Sequence, residues 1–117
     1  MGRNSEVTIN VELDEKNMPA KILWQATDAP FSGSKEAKTM LLSFWDKDDG
    51  VSLSLDLWTK EMTIDEMNIH FYQTLLKMSE TYRKATRDEK TSSLIKNFAE
   101  SFSKHLHLND KFNKRNK

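Results

Sequence analysis

Apolar and polar side chains alternate along residues 51–57 of the chain. A period of two is typical of a β-strand that buries one face, because successive side chains of a strand point to opposite sides. A second apolar run, residues 37–45, precedes this segment, and the residues between the two runs are rich in turn-forming Asp and Gly. The pattern therefore predicts a β-hairpin.

Burial selects the register of this hairpin. If residues 47–50 form the loop, with Gly50 in the left-handed conformation that glycine adopts at little cost, then Phe44 faces Leu53. A slip by one residue would place Phe44 opposite Ser52 and would move every side chain to the other face. We therefore predict a core-forming face that consists of Met40, Leu42, Phe44, Leu53, Leu55 and Leu57.

The opposite face of the hairpin carries Leu41, Trp45 and Trp58 among serine and aspartate side chains. Tryptophan is enriched among the residues that dominate protein interfaces, and apolar patches with a polar rim often mark contact sites. We therefore predict that Leu41, Trp45, Trp58 and Phe31 are candidate protein-interaction residues. The alternative is that residues 27–36, and Phe31 in particular, cover the two tryptophans.

A second strand pair precedes this hairpin. Apolar residues alternate with polar ones over residues 7–13, and residues 14–19 supply turn chemistry. Residues 21–26 are expected to pair back on the first strand, but Ile22, Leu23 and Trp24 are all apolar and leave the buried face undecided. Residues 27–36 are predicted to form a surface loop, or a binding loop carried by a rigid scaffold.

Two amphipathic helices are predicted in the second half of the chain. Thr63 is the expected N-cap of the first helix, and Glu66 lies at the capping-box position three residues later. Residues 87–90 form a charged connector to the second helix. Apolar side chains recur at helical spacing in both segments. They are Met67, Phe71, Leu75, Met78 and Tyr82 in the first, and Leu94, Ile95, Phe98, Phe102 and Leu106 in the second.

Strands followed by helices predict an α+β fold. We expect a four-stranded antiparallel sheet made of two hairpins, followed by two C-terminal helices that pack on one face, that of residues 51–57. The chain has 117 residues, which suits one domain with one core. We assign residues 1–110 to this single domain, and we expect residues 111–117, which are basic and lack periodicity, to form a disordered tail.

Composition excludes several classes of function. Lys plus Arg and Asp plus Glu both number 18, and this zero net charge disfavours a uniformly basic nucleic-acid binder. The absence of cysteine excludes disulfides, thiol catalysis and Cys-ligated zinc. The N-terminus has no apolar signal segment and no run of 18 apolar residues occurs, so we expect a cytoplasmic protein without a membrane span.

Charge is distributed unevenly between the two halves. Residues 1–60 carry 7 basic and 10 acidic side chains, and residues 61–117 carry 11 and 8. We expect no nucleic-acid partner. The alternative is weak binding of a nucleic acid through the basic second half of the chain.

No catalytic, cofactor-binding or metal-binding constellation stands out. Asp46, Asp48 and Asp49 resemble a calcium loop only in part, because Gly50 comes fifth rather than sixth and no glutamate closes the loop. A soluble hairpin turn is the better interpretation of these residues. We therefore predict no catalytic residue, no cofactor and no metal.

Glu66 and His70 lie one helical turn apart and form the nearest approach to a catalytic pair. With no second metal pair on the same helix, a surface or boundary contact is the better interpretation. The alternative function is a small-ligand-binding domain or an enzyme, with a pocket between helices and sheet lined by Trp24, Glu66, His70 and Tyr82.

Residues 56–67 read Asp-Leu-Trp-Thr-Lys-x-Met-x-x-Asp-Glu-Met, which is a fairly specific string. Other segments that belong to the same pattern occur in order along the chain. They include Val11-Glu12-Leu13-Asp14-Glu15, Pro19, Trp24, Ala26-Thr27-Asp28, Glu36-Ala37-Lys38, Trp45-Asp46 and Gln73-Thr74-Leu75. Over roughly residues 5–108 the chain resembles the gliding-motility protein family GldC.

This resemblance implies a role in the gliding of certain bacteria over surfaces, in a system linked to a protein-secretion apparatus. Members of the family resemble small soluble accessory proteins without a known catalytic role. The resemblance therefore implies a non-enzymatic protein that contacts protein partners of the motility or secretion machinery. Self-association through the face of Leu41, Trp45 and Trp58, giving a homo-oligomer, is a further hypothesis.

Overall fold

The computed structural model describes residues 2–108. The chain folds into two compact units, Met1–Met62 and Thr63–Lys117. The strands of the first unit and the helices of the second are, in chain order, β1 (Val7–Leu13), β2 (Pro19–Ala26), β3 (Lys35–Ala37), β4 (Thr39–Trp45), β5 (Ser52–Trp58), α1 (Ile64–Thr86) and α2 (Glu89–Leu106).

This element order confirms the α+β class and the two C-terminal helices. The extent of a single domain over residues 1–110 stays a prediction, and so does the packing of the helices on the hairpin. The predicted disordered tail, residues 111–117, lies outside the described residues.

The antiparallel pair of β1 and β2 settles which face of β2 is buried. Ile9 lies opposite Trp24, and Val11 lies opposite Ile22. Ile22 and Trp24 therefore share one face with the apolar side chains of β1, and Leu23 points to the other. Ile22 is fully buried, so this shared face is the core of the first unit.

The predicted four-stranded sheet is wrong, because the strands form two sheets. One sheet has the order β1-β2-β3, and the other pairs β4 with β5. Residues 35 and 36, expected to lie in a loop, belong to β3, where Ala37 pairs with Ile22. After β3 the chain bends at Lys38, whose carbonyl oxygen accepts hydrogen bonds from the backbone N–H and the hydroxyl of Thr59, at 2.8 and 3.2 Å.

The register predicted for the β4–β5 hairpin is confirmed. Phe44 pairs with Leu53, Leu42 with Leu55 and Met40 with Leu57. The backbone N–H of Asp46 donates to the carbonyl oxygen of Val51 at 2.8 Å, which closes the loop of residues 47–50. Gly50 has a φ of +64°, the left-handed value that the predicted loop requires.

Helix α1 begins with the predicted capping box. The backbone N–H of Glu66 donates to the hydroxyl oxygen of Thr63, and the N–H of Thr63 donates to the Glu66 carboxylate, both at 3.0 Å. Helix α2 begins at Glu89 with Asp88 as its N-cap, so the predicted connector, residues 87–90, is shorter than expected. The side chain of Asp88 accepts the backbone N–H of Thr91 at 3.0 Å, which makes the helical start possible there.

The two helices meet through small side chains. The hydroxyl of Ser79 on α1 donates to the carbonyl oxygen of Ser92 on α2 at 2.8 Å, and the Ser92 hydroxyl donates to the carbonyl oxygen of Ser79 at 3.1 Å. Ala99 and Ser103, which follow Ser92 by seven and eleven residues and so lie on the same side of α2, are buried as well. We call this contact the serine seam.

Replacing the N-cap of α1 tests its contribution to stability. We expect Thr63→Ala to lower the free energy of unfolding by about 1 kcal/mol, because it leaves the backbone N–H of Glu66 without its acceptor. Urea denaturation followed by circular dichroism measures the change. Thr81→Ala replaces an exposed threonine of the same helix far from its first turn. This matched control should change stability by about 0.5 kcal/mol or less; equal losses in the two variants would contradict the capping role.

Acid titration tests the turn between β1 and β2. The backbone N–H of Met18, then Lys60 and the N–H of Lys16, hold the pKa of Asp14 below its ordinary value of 3.8. A carboxylate with a lowered pKa adds stability that is present above the pKa of the unfolded chain and is lost as the pH falls through the folded value.

We therefore expect Asp14→Asn to be less stable than the wild-type chain at neutral pH. The difference should shrink as the solution is acidified below 3.8, the value that the unfolded chain approaches. Urea denaturation at a series of pH values measures this, and a difference that stays constant down to strongly acidic solution would contradict it.

Candidate protein-interaction surface

The register of β4 and β5 places the predicted candidate residues on one face of the hairpin. Leu41, Trp45 and Trp58 share this face, which we call the tryptophan face, and their exposed fractions are 45%, 71% and 59%. Polar side chains separate the three apolar ones on the same face. They are Thr39, Ser43, Ser52, Ser54 and Asp56.

The tryptophan face is long rather than compact. Trp58 pairs with Thr39 at the base of the hairpin, whereas Trp45 is the last residue of β4 and lies beside the turn, near Gly50. Six residues of strand separate the two positions, which corresponds to about 20 Å. Leu41 stands diagonally across from Trp58, so the base carries two apolar side chains and the turn end carries one.

Phe31 is not part of this face. Its ring packs edge-on against Trp24 of β2, with 5.0 Å between the ring centroids. The ammonium group of Lys35 lies 5.0 Å from the centroid of the same ring, within the range of a cation–π contact. The alternative in which Phe31 covers Trp45 and Trp58 is therefore wrong, since both tryptophans stay exposed.

The opposite face of the hairpin was predicted to form the core, and this is correct only at its base. Met40, Leu42 and Leu57 are half-buried. Met40 and Leu42 line an apolar hollow of about 280 Å³ together with Ile9, Ile22 and Trp24 of the three-stranded sheet.

Toward the turn the same face is open. Phe44, Leu53 and Leu55 are 62%, 55% and 53% exposed. Alternation fixes which side chains share a face, but it does not fix how far along that face the three-stranded sheet reaches. The turn end of the hairpin therefore shows apolar side chains on both faces.

The hairpin turn is acidic. One carboxylate oxygen of Asp46 accepts the backbone N–H groups of Asp48 and Asp49, at 3.1 and 2.8 Å, so this carboxylate shapes the turn. The side chains of Asp48 and Asp49 in the turn are exposed, and so is that of Asp56, which pairs with Leu41 toward the base of the hairpin. The apolar side chains near the turn thus have negatively charged neighbours. Within the loop of residues 47–50, Lys47 is the single positively charged residue.

Three of the residues weighed for a ligand pocket line hollows within their own unit. Trp24 lines the 280 Å³ hollow of the first unit, whereas His70 and Tyr82 line an open groove of about 670 Å³ on the helices. The Glu66 carboxylate accepts hydrogen bonds from the N–H and the hydroxyl of Thr63 at the helix start.

Residues 2–108 contain no candidate metal-binding cluster and no helix that could span a membrane. No group of three or more His, Asp or Glu side chains in this range could hold a metal ion. No helix in this described part of the chain is long and apolar enough to cross a membrane.

Comparison with known proteins identifies a family. The model of the family described as gliding motility-associated protein GldC-like matches residues 19–108. This range contains the tryptophan face and both helices. No curated protein and no solved structure matches the chain.

Fluorescence tests the exposure of the tryptophan face, because the chain has three tryptophans. In the variant Trp45→Phe/Trp58→Phe only Trp24 emits, and we expect blue-shifted emission that acrylamide quenches weakly. Trp24→Phe leaves the two exposed indoles and should emit at longer wavelength with stronger quenching. Equal quenching in the two variants would contradict the exposure of Trp45 and Trp58.

Proposed function

The chain belongs to the GldC-like family, which is associated with gliding motility, and from this membership we propose a non-enzymatic accessory role in the motility machinery. In this role the protein binds a protein partner through the tryptophan face, with Leu41, Trp45 and Trp58 as the contact residues. The observation that carries the proposal is the exposure of both tryptophans on one face of a hairpin with a fixed register.

Exposed tryptophans favour binding for a physical reason. A tryptophan side chain buries 150–250 Å², and its indole N–H can also donate a hydrogen bond to the partner. Both indoles project from a paired strand, so less conformational entropy is lost on binding than from a mobile loop. The serines between them, Ser43 and Ser54, are small, and they allow a partner to approach the backbone of the sheet closely.

Charge indicates the chemistry of the partner. The carboxylates of Asp48, Asp49 and Asp56 lie near the apolar side chains of the hairpin. Complementary surfaces pair opposite charges at the rim of an interface, and such pairs mainly raise the association rate. The proposed partner therefore presents two apolar pockets with lysine or arginine side chains beside them, and its association slows as salt is added.

Partner capture with a matched control tests this function. We expect wild-type protein to capture a component of the motility machinery from a lysate of the source organism, identified by mass spectrometry. Trp45→Ala/Trp58→Ala should lose this component and should also fail to restore surface spreading in cells that lack the gene. Truncation of an interface tryptophan often costs 2 kcal/mol or more, or about 30-fold in affinity.

The control is Leu53→Ala/Leu55→Ala on the opposite face of the same hairpin, where the side chains are similarly exposed. This variant should still capture the component and restore spreading. If the tryptophan variant keeps its circular dichroism spectrum, its partner and its spreading activity, the proposed binding face is wrong.

A further inference from the structure

Strand β5 is exposed on both of its faces. All of its residues except Leu57 are exposed. In the described part of the chain, β5 pairs with β4 alone. A hairpin of two strands is only marginally stable in water, and a third strand is usually needed to complete an apolar face. The outer side of β5 is therefore a sheet edge to which a further strand can be added.

The register of the hairpin shows which backbone groups form this edge. The N–H of Asp46 donates to Val51 at one end of the ladder, and the N–H of Thr59 donates to Lys38 at the other. In an antiparallel ladder every second pair exchanges hydrogen bonds, so the odd-numbered residues of β5 direct their backbone groups to β4. The residues whose N–H and C=O groups point outward are Ser52, Ser54, Asp56 and Trp58.

Other strands of the first unit have features that block pairing at an edge, and β5 does not. Strand β3 has three residues, two of them charged, and the pairing of β1 is irregular between Glu12 and Leu13. The base of β4 borders the three-stranded sheet at the 280 Å³ hollow. Short strands, charges and irregular pairing are common protections of an edge. Strand β5 pairs regularly and contains no proline and no lysine, and Asp56 is its one charged residue.

The sequence of β5 fits an antiparallel copy of itself. Outward-pointing residues must lie opposite one another, and a two-fold axis at Leu55 meets this condition while it pairs every residue of the strand. Leu53 then lies opposite Leu57 of the second copy. An axis at Asp56 would instead place two carboxylates directly opposite each other, which is unfavourable.

The axis at Leu55 also joins the apolar faces of the two hairpins. Phe44 pairs with Leu53 within one copy, and Leu57 pairs with Met40 within the other, so the four side chains form one row across the sheet. Phe44 and Leu53 are exposed, whereas Met40 and Leu57 are half-buried. The open turn end of each hairpin thus meets the partly covered base of the other.

On the tryptophan face the same register brings together side chains that suit one another. Asp56 lies opposite Ser54 of the second copy, whose hydroxyl can donate a hydrogen bond to the carboxylate. Ser52 pairs with Trp45 in its own hairpin and lies opposite Trp58 of the second copy. Two indole rings therefore stand on either side of a small serine, which leaves room between them.

We propose that β5 pairs antiparallel with β5 of a second copy of this chain, about a two-fold axis at Leu55. The two hairpins then form one four-stranded sheet in the order β4-β5-β5-β4. This pairing uses strands of the first unit alone. It does not rest on the proposed function, because an added strand occupies the edge and leaves the tryptophan face open to a partner.

Two proline variants test which edge is used. Ser43 and Ser54 lie opposite each other and are both exposed, and each directs its N–H away from the hairpin. Proline at either position therefore removes no hydrogen bond between β4 and β5. By sedimentation velocity of the full chain we expect the wild-type mass to approach twice 13.7 kDa as the concentration rises. Ser54→Pro should raise the dimer dissociation constant by about 10-fold or more, because both copies lose a hydrogen bond to Asp56, whereas Ser43→Pro should not change it.

Cross-linking tests the register without a proline. The chain has no cysteine, so a single cysteine reports only on its own position. Leu55→Cys should form a disulfide-linked dimer on mild oxidation, because the two Cα atoms of this pair lie about 4.5 Å apart. The control Leu53→Cys is on the same face and similarly exposed, but its two copies are separated by about 13 Å along the strands and should not link.

A wild-type chain that stays monomeric at all concentrations overturns the proposal. A dimer that both prolines weaken equally overturns it as well, and so does one that only Ser43→Pro weakens, because the edge of β5 alone should matter. Disulfide formation by Leu53→Cys instead of Leu55→Cys contradicts the register. Failure of Trp45→Ala/Trp58→Ala to release the motility component would count against the proposed function and would leave this pairing standing.

Discussion

The carbonyl oxygen of Lys38 accepts two hydrogen bonds from Thr59, and the arrangement of the first unit depends on this junction. Thr59 is buried and directly follows β5, while Lys38 lies between β3 and β4. The junction therefore fixes the end of one strand to the bend between two others. Because the chain bends here, β4 leaves the three-stranded sheet and pairs only with β5, so the hairpin has two faces that the first sheet covers only at its base.

A second contact supports this arrangement. The ammonium group of Lys60 lies 3.0 Å from a carboxylate oxygen of Asp14, in the turn between β1 and β2. The Asp14 carboxylate also accepts hydrogen bonds from the backbone N–H groups of Lys16 and Met18. One side chain therefore shapes the turn between β1 and β2 and also holds Lys60 near that turn. An exposed ion pair alone contributes little to stability, but here it joins backbone hydrogen bonds in one network.

Much of the hairpin could be predicted from sequence, because alternation and a glycine in the turn leave one register that keeps apolar side chains together. The capping box of α1 could be predicted equally well, since Thr63 and Glu66 are the residue types that this motif requires and have the required spacing. β3 could not be found in this way. It has only three residues, two of them charged, and it exists because the edge of β2 offers unpaired backbone groups.

Burial was harder to predict than periodicity. The apolar stripes of both helices were recognised, but the contact between the helices uses Ser79, Ser92 and Ala99, which carry little hydrophobic signal. The serine hydroxyls are satisfied by backbone carbonyl groups of the facing helix, and such a pairing depends on three-dimensional proximity. Likewise, the position of Phe31 against Trp24 depends on the path of residues 27–36, for which the sequence has no periodic pattern.

The separation of Trp45 and Trp58 along the hairpin has a kinetic consequence. Two anchors about 20 Å apart on one rigid strand pair can engage a partner one after the other. Once the first indole is bound, the second searches for its pocket at a high effective concentration, and the complex dissociates only when both have left. Two modest anchors would in this way give a long residence time on a partner, while either one alone would exchange rapidly.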